Sequence, residues 1–261
     1  MTFIEELKNS DIWDKMQHIS LEEMKTVRLM SRIDTKYVAH QDMLIPILQH
    51  AMDNNYMVQY TSHALNAYDT TYFDTEDLSM YVMHHNRKLH RRKIRCRTYT
   101  ANDTSFLEIK DKNNCGRTKK TRILIDDTDV NYLRENKKVT EFIRKNTPYT
   151  FKKLIPALKT DFHRITLVNK NKTERITIDT NLLFSNLMTG INTELKDLVI
   201  IELKEDGRFV STMSVILREL HVKPFHISKY CIGTALTNPD AKQNRFKRKI
   251  HLLNKIRNNY E

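Results

Sequence analysis

Arginine and lysine recur at every second residue in several stretches of this chain, and that spacing carries its chemistry. In HRRKIRCRTY, residues 90–99, an extended backbone puts Arg91, Lys93, Arg95, Arg97 and Tyr99 on one face. His90, Arg92, Ile94, Cys96 and Thr98 take the other. The same alternation sets Glu108 and Lys110 against Leu107 and Ile109, and Lys120 and Arg122 against Thr121, Ile123 and Ile125. It sets Arg164 and Thr166 against Ile165 and Leu167, and Arg175, Thr177 and Asp179 against Ile176 and Ile178. Glu202 and Lys204 oppose Ile201 and Leu203, and Lys36 lies in a further strand-like segment. Like charges two residues apart repel unless water or an anion separates them. A guanidinium fork matches phosphate oxygens in pairs and lysine adds point charge, so the pattern suits a phosphate-rich ligand.

The composition agrees and removes some alternatives. Forty-four Lys and Arg face 32 Asp and Glu over 261 residues, a formal net charge of +12, which points to a polyanionic partner. Only four glycines occur, standing alone at Gly116, Gly190, Gly207 and Gly233, so neither a Walker A loop nor a dinucleotide fingerprint exists. Phosphate must therefore be held by side chains. Cys96, Cys115 and Cys231 lack metal-type spacing and fit reduced thiols, and the N-terminus lacks the apolar stretch of a signal peptide. No run is long and apolar enough to span a membrane, so a soluble cytoplasmic protein is expected.

The elements that would position these cations follow from periodicity. The first 30 residues read as helical, with Ser20 and Glu23 in capping-box positions and Leu21, Met24, Val27 and Met30 as an apolar stripe. Strands are expected over SRIDTKYVAH, TTYFDT, 91–99, 105–112, 117–125, 160–169, 174–179 and DLVIIELKED. Helices are expected over 41–54, EDLSMYVMHHN and most of 127–157, and again where Phe209, Met213, Ile216, Leu217 and Leu220 recur. A basic tail, about 238–261, carries Phe246, Ile250, Leu253 and Ile256 on a helical stripe. One α+β unit over 1–261 is the simplest organisation.

An antiparallel sheet with one wet face accounts for the alternation. A sheet closed into a tunnel, charged faces inward and helices over the apolar exterior, also accounts for Arg, Lys and Glu where Thr or Gln would serve. A nucleic-acid face is the third reading. It is weakened because Tyr99 is alone in its row and the other charged faces offer few aromatic platforms for bases.

RIDTKYV, YFDTEDLSMYVMH, RRKIRCRTY, FLEIKDKNNCGRTKKTR, IIELK and ISKYCIGTAL, in this order and spacing, resemble the VTC domain. This is the polyphosphate polymerase domain of vacuolar transporter chaperone proteins and of bacterial single-domain relatives, within the triphosphate tunnel metalloenzyme (CYTH-like) superfamily. The resemblance runs from about residue 28 to 236. It implies a closed eight-stranded antiparallel β-tunnel covered by helices. The implied reaction is transfer of the γ-phosphoryl group of ATP to a growing inorganic polyphosphate chain, with release of ADP and dependence on Mn2+ or Mg2+. The family's phosphate ligands fall on Lys36, Arg95, Arg97, Lys110, Lys120, Arg122, Arg164, Arg175, Lys204 and Lys229, with Ser228 beside the last. Its metal-ligating glutamate falls on Glu202, and Glu108 is matched there less firmly, a plain ion pair with Lys110 being its alternative.

Two departures matter. His84 and His226 stand where fungal members carry an arginine and a lysine, so their charge is expected to vary near neutral pH. His85 and His90 lack metal-ligand spacing and read, with His84, as surface or substrate-edge groups. The sequence also has no room for a phosphate-sensing domain or membrane helices, which leaves a separate membrane protein as the partner to consider. Two rival functions stay open: a triphosphatase in the same tunnel, with water as acceptor, and a polyphosphate-binding module without catalysis.

Overall fold

The alternating segments do become strands, and they join into one sheet. The computed structural model describes residues 2–27, 29, 32–115, 117–208 and 210–258. Met30, Gly116 and Phe209 therefore lie outside the described residues.

The chain begins with α1 (Phe3–Lys8), α2 (Ile12–Lys15), β1 (Gln17–Ile19), α3 (Leu21–Lys25), β2 (Arg32–His40), α4 (Leu44–Asp53) and β3 (Tyr56–Gln59). It continues through β4 (Asn66–Asp74), α5 (Ser79–His85), β5 (Arg91–Tyr99), β6 (Thr104–Lys112), β7 (Thr118–Ile125), α6 (Val130–Glu135) and α7 (Lys137–Asn146). After these come β8 (Ile155–Asn169), β9 (Glu174–Asn186), β10 (Asn192–Leu195), β11 (Leu198–Asp206), α8 (Thr212–Glu219), α9 (Lys229–Thr237) and α10 (Lys247–Asn258). Ser20 caps α3 by accepting from the Glu23 amide while Glu23 reaches back, the expected capping box.

Strand order along the sheet is β2-β11-β9-β8-β4-β5-β6-β7, each neighbour antiparallel, with β10 added to β9 and β3 to β8. The expected closure is corrected: among the described residues no ladder joins β7 to β2. Both edge strands carry like charge, Lys120 and Arg122 on β7 and Arg32 and Lys36 on β2, and cation-loaded edges disfavour pairing. Helix also gives way to strand earlier than the pattern predicts. β8 starts at Ile155 and contains Pro156, which the ladder admits because the β4–β8 register shifts between Tyr72 and Phe73.

The odd residues of β2 and β11 and their ladder partners pack outward under α1, α2, α4 and α8, with Leu48, Ile165, Ile178, Ile201 and Leu217 buried together. Ile94, Cys96, Leu107 and Ile109 pack on the α6–α7 side around Leu133, Val139 and Ile143. At about 25 cal/mol per Å2 such burial supplies most of the drive to fold. The expectation that helices cover only the exterior needs a second correction. α9 is buried nearly all round and lies on the inner face, against Leu158, Phe184 and Ile200. Gly233 permits this approach, since a Cβ there would sit 2.5 Å from the Phe184 ring and 2.6 Å from Leu158. One end of the inner face is therefore apolar and filled, and the charged remainder is left as a cavity.

Candidate active site

The charged inner face surrounds a cavity of about 1220 Å3. Its described lining holds fifteen Lys and Arg side chains against three carboxylates, Asp34, Asp179 and Glu202. β2 contributes Lys36, β5 contributes Arg95 and Arg97, β6 contributes Lys110, and β7 contributes Lys120 and Arg122. Arg164, Arg175 and Lys204 come from β8, β9 and β11, and Ser228 and Lys229 from the N-terminus of α9. His84 and Glu202 also line it. His226 and Glu108 do not: His226 is exposed, with Lys249 donating to its carbonyl at 2.6 Å, and Glu108 lies beneath the floor.

Three carboxylates hold most of these cations in place. Glu108, with no exposed surface, accepts from Arg95 Nε at 2.9 Å and Nη2 at 2.6 Å, and Lys120 pairs with its other oxygen. Burial pushes the Glu108 carboxyl up, but Arg95, Arg97 and Lys120 outweigh it and hold the pKa at about 2. Asp179 accepts from Arg164 Nη2 at 2.7 Å and pairs with Lys229, which together hold it well below the usual carboxylate range against burial. Glu202 is gripped by Lys36 at 2.8 Å and Lys204 at 3.0 Å. Glu108, which the resemblance matched to a metal, sits here as a counter-ion.

Two lining side chains have no such partner. Arg97 is 6 % exposed, donates to Thr70 Oγ1 at 3.2 Å, and has no carboxylate within ion-pair distance among the described residues. Lys110 likewise has none, and burial together with Arg95, Arg97 and Lys93 pushes its pKa down to about 6, with Glu202 opposing. An uncompensated buried charge costs several kcal/mol, so this cavity is built to receive anionic oxygens. Lys93 donates to Ser228 Oγ at 2.8 Å and so ties β5 to α9.

The histidines are sorted by burial. His84 Nε2 lies 3.2 Å from the Arg92 carbonyl, and burial plus the Lys93 and Arg91 charges push its pKa down to about 3. The expected pH sensitivity near neutrality is thus overturned for His84, which stays uncharged because cations already surround it. His84→Asn should leave the shape of the pH–activity profile between about pH 6 and 8 unchanged; a lost inflection in that range would contradict the assignment. His85 is no surface group: it is 1 % exposed between Tyr81 and Phe246.

A third correction concerns aromatic residues. Tyr68, Tyr72, Tyr99 and Phe106 all line the cavity. Guanidinium groups lie over them: Arg122 4.5 Å from the Phe106 ring centre, Arg164 5.1 Å and Arg97 5.5 Å from Tyr68. A signal existed, because Phe106 stands two residues before Glu108 on the inward face of β6.

For a divalent ion the donor set is spare. No group of three or more metal-ligating side chains occurs among the described residues. Glu202, one carboxylate facing the cationic cavity, fits a hard cation that takes its remaining ligands from phosphate oxygens and water. Displacing Lys36 or Lys204 from a carboxylate oxygen would open that position.

An inward-facing cationic sheet of this strand order defines the triphosphate tunnel fold, the class to which the protein belongs. A candidate adenylate cyclase from Bacillus halodurans has this architecture, 14 % identical, with TM-score 0.51 over 76 % of this chain and 96 % of that one. A candidate adenylyl cyclase from Hippeastrum with a dominant triphosphatase activity aligns at TM-score 0.48 and 12 % identity, over 80 % and 98 % of the two chains. Within the class the family is defined by sequence: the VTC domain profile matches residues 31–238, and the chain belongs to the VTC domain family. No curated protein matches it. Among the described residues no helix is long and apolar enough to cross a membrane.

Proposed function

We propose that the protein is an ATP-dependent polyphosphate polymerase, transferring the γ-phosphoryl group of ATP to the end of an inorganic polyphosphate chain and releasing ADP. The observation that carries this reading is the ring of Lys and Arg around the cavity, in which Arg97 is buried without a carboxylate partner among the described residues. Phosphoryl transfer needs in-line positioning and charge neutralisation more than covalent chemistry. Arg95, Arg97, Arg164 and Arg175 would grip successive phosphates. Lys36, Lys110, Lys120, Arg122, Lys204, Lys229 and Ser228 complete the lining, and Glu108 and Asp179 hold the arginines to which they are bonded. A terminal phosphate oxygen is already anionic and needs no general base to attack. Glu202 would hold Mn2+ or Mg2+, which supplies Lewis-acid stabilisation of the charge that develops on the transferred group.

Incubating the pure protein with ATP and Mn2+ tests the reading. Long-chain polyphosphate is the expected product; free phosphate would favour the triphosphatase, and binding without turnover the passive module. Glu202→Gln should lower synthesis by on the order of a hundredfold, the loss typical of one electrostatic contributor to a transition state. Wild-type synthesis in that variant would remove Glu202 from the site.

A further inference from the structure

The two ends of the cavity are chemically different. Along the β5–β6 ladder Arg91 pairs with Lys112 at one end and Tyr99 with Thr104 at the other, and Lys112 in turn pairs with Thr118 of β7. The Arg91 end is lined by Arg91, Lys93, Lys110 and Lys112 with His84, all polar. The Tyr99 end gathers rings instead. Tyr68 pairs with Tyr99 in the β4–β5 ladder, their ring centres 5.0 Å apart, and Tyr99 meets Phe106 edge-on at 5.9 Å with an interplanar angle of 84°. All three rings line the cavity and remain half-buried rather than sealed.

Those rings exceed what bracing the arginines requires. Arg97 and Arg164 lie over Tyr68 and Arg122 over Phe106, but Tyr99 has no guanidinium over it among the described contacts. Asn102, on the same rim, adds an amide with both donor and acceptor groups. A half-exposed ring at the edge of a phosphate site has one frequent use, stacking on a base, and stacking tolerates any base because each has a π-face. A ligand of phosphate alone gains nothing from it.

We propose that the Tyr99 ring, flanked by Tyr68 and Phe106, is a base-stacking platform, so that a nucleoside triphosphate enters with its base at the Tyr99 end and its phosphates toward Arg97 and Lys110. The tunnel then has a direction. The base occupies the Tyr99 end, and the phosphates run inward along the Arg97 face of β5. This inference rests on the proposed use of ATP, but it is read by binding rather than by turnover.

The test compares two probes at equilibrium, the β,γ-imido analogue of ATP and inorganic tripolyphosphate, on wild type, Tyr99→Leu and Tyr99→Met. Leucine and methionine keep apolar volume and remove the ring face, and thermal melts confirm that each variant is folded. The analogue should bind at least about fivefold more weakly to each variant, while tripolyphosphate changes by less than about twofold. Equal losses for both probes would mean that the rings only brace arginines, and would overturn the subsite, as would no loss for either. Failure to make polyphosphate would sink the polymerase and leave this comparison standing. If wild type binds neither probe, both readings fall.

Discussion

Arg95→Ala should abolish phosphoryl transfer and destabilise the protein at the same time. Arg95 presents its guanidinium to the cavity while Nε and Nη2 grip Glu108, which has no exposed surface. Removing one member of a buried pair leaves the other charged and short of partners, at a cost of about 3–5 kcal/mol, because only Lys120 then answers Glu108. The rate should fall by on the order of a hundred- to a thousandfold, since a preorganised donor to the transferring group is gone. The two effects separate in the double variant Arg95→Met, Glu108→Gln. Neutralising both partners should restore most of the stability in urea titrations and none of the synthesis. An active double variant, or a single variant as stable as wild type, would contradict the pairing. The pH dependence has a definite sign. Glu108 is held near 2 in the fold against an ordinary value of 4.5, so its contribution is fully present above 4.5 and lost as pH falls from there through about 2. That acid-labile component should be missing from the double variant.

The second large effect is expected at Asp179. It is 3 % exposed and bonds Arg164 Nε and Nη2, at 2.5 and 2.7 Å, as well as Lys229. Asp179→Asn leaves two buried cations without a counter-charge in a cavity that already holds an excess of them. The expected loss is about 3–5 kcal/mol, at the level of removing one partner of a buried pair. The diagnostic result is rescue by ligand. Tripolyphosphate binds the folded state and supplies the missing negative charge, so at equal ligand concentration it should raise the melting temperature of Asp179→Asn by more than that of wild type. Equal shifts would mean that Asp179 does not neutralise the ligand-binding arginines. The same variant should lose synthesis, because Arg164 no longer has a carboxylate to orient it.

Both predictions depend on contacts that side-chain alternation alone does not show. Glu108 illustrates the limit. Its position on a charged face was legible, but whether a carboxylate there meets a metal or an arginine depends on cross-strand register, which pairs Glu108 with Arg95 on one side and Arg122 on the other. His84 illustrates another. The pKa of an imidazole is set by burial and neighbouring charge, here the Arg91 and Lys93 side chains of a different element. The strands β1, β3 and β10 escaped notice because three or four residues hold too little periodicity to read.

What the amino-acid sequence determined by itself is the inward cationic face. Period-two alternation is a local property, and it holds in every strand that contributes a cavity-lining cation, from Lys36 in β2 to Lys204 in β11. The motifs in register carried the family as well. Tertiary structure alone decided three things: that the sheet stays open between β7 and β2, that α9 enters the inner face through the close approach at Gly233, and that Tyr68, Tyr99 and Phe106 gather at one end. Each is a matter of which distant residues meet, and that is set by register and packing between strands rather than by the order of residues within one.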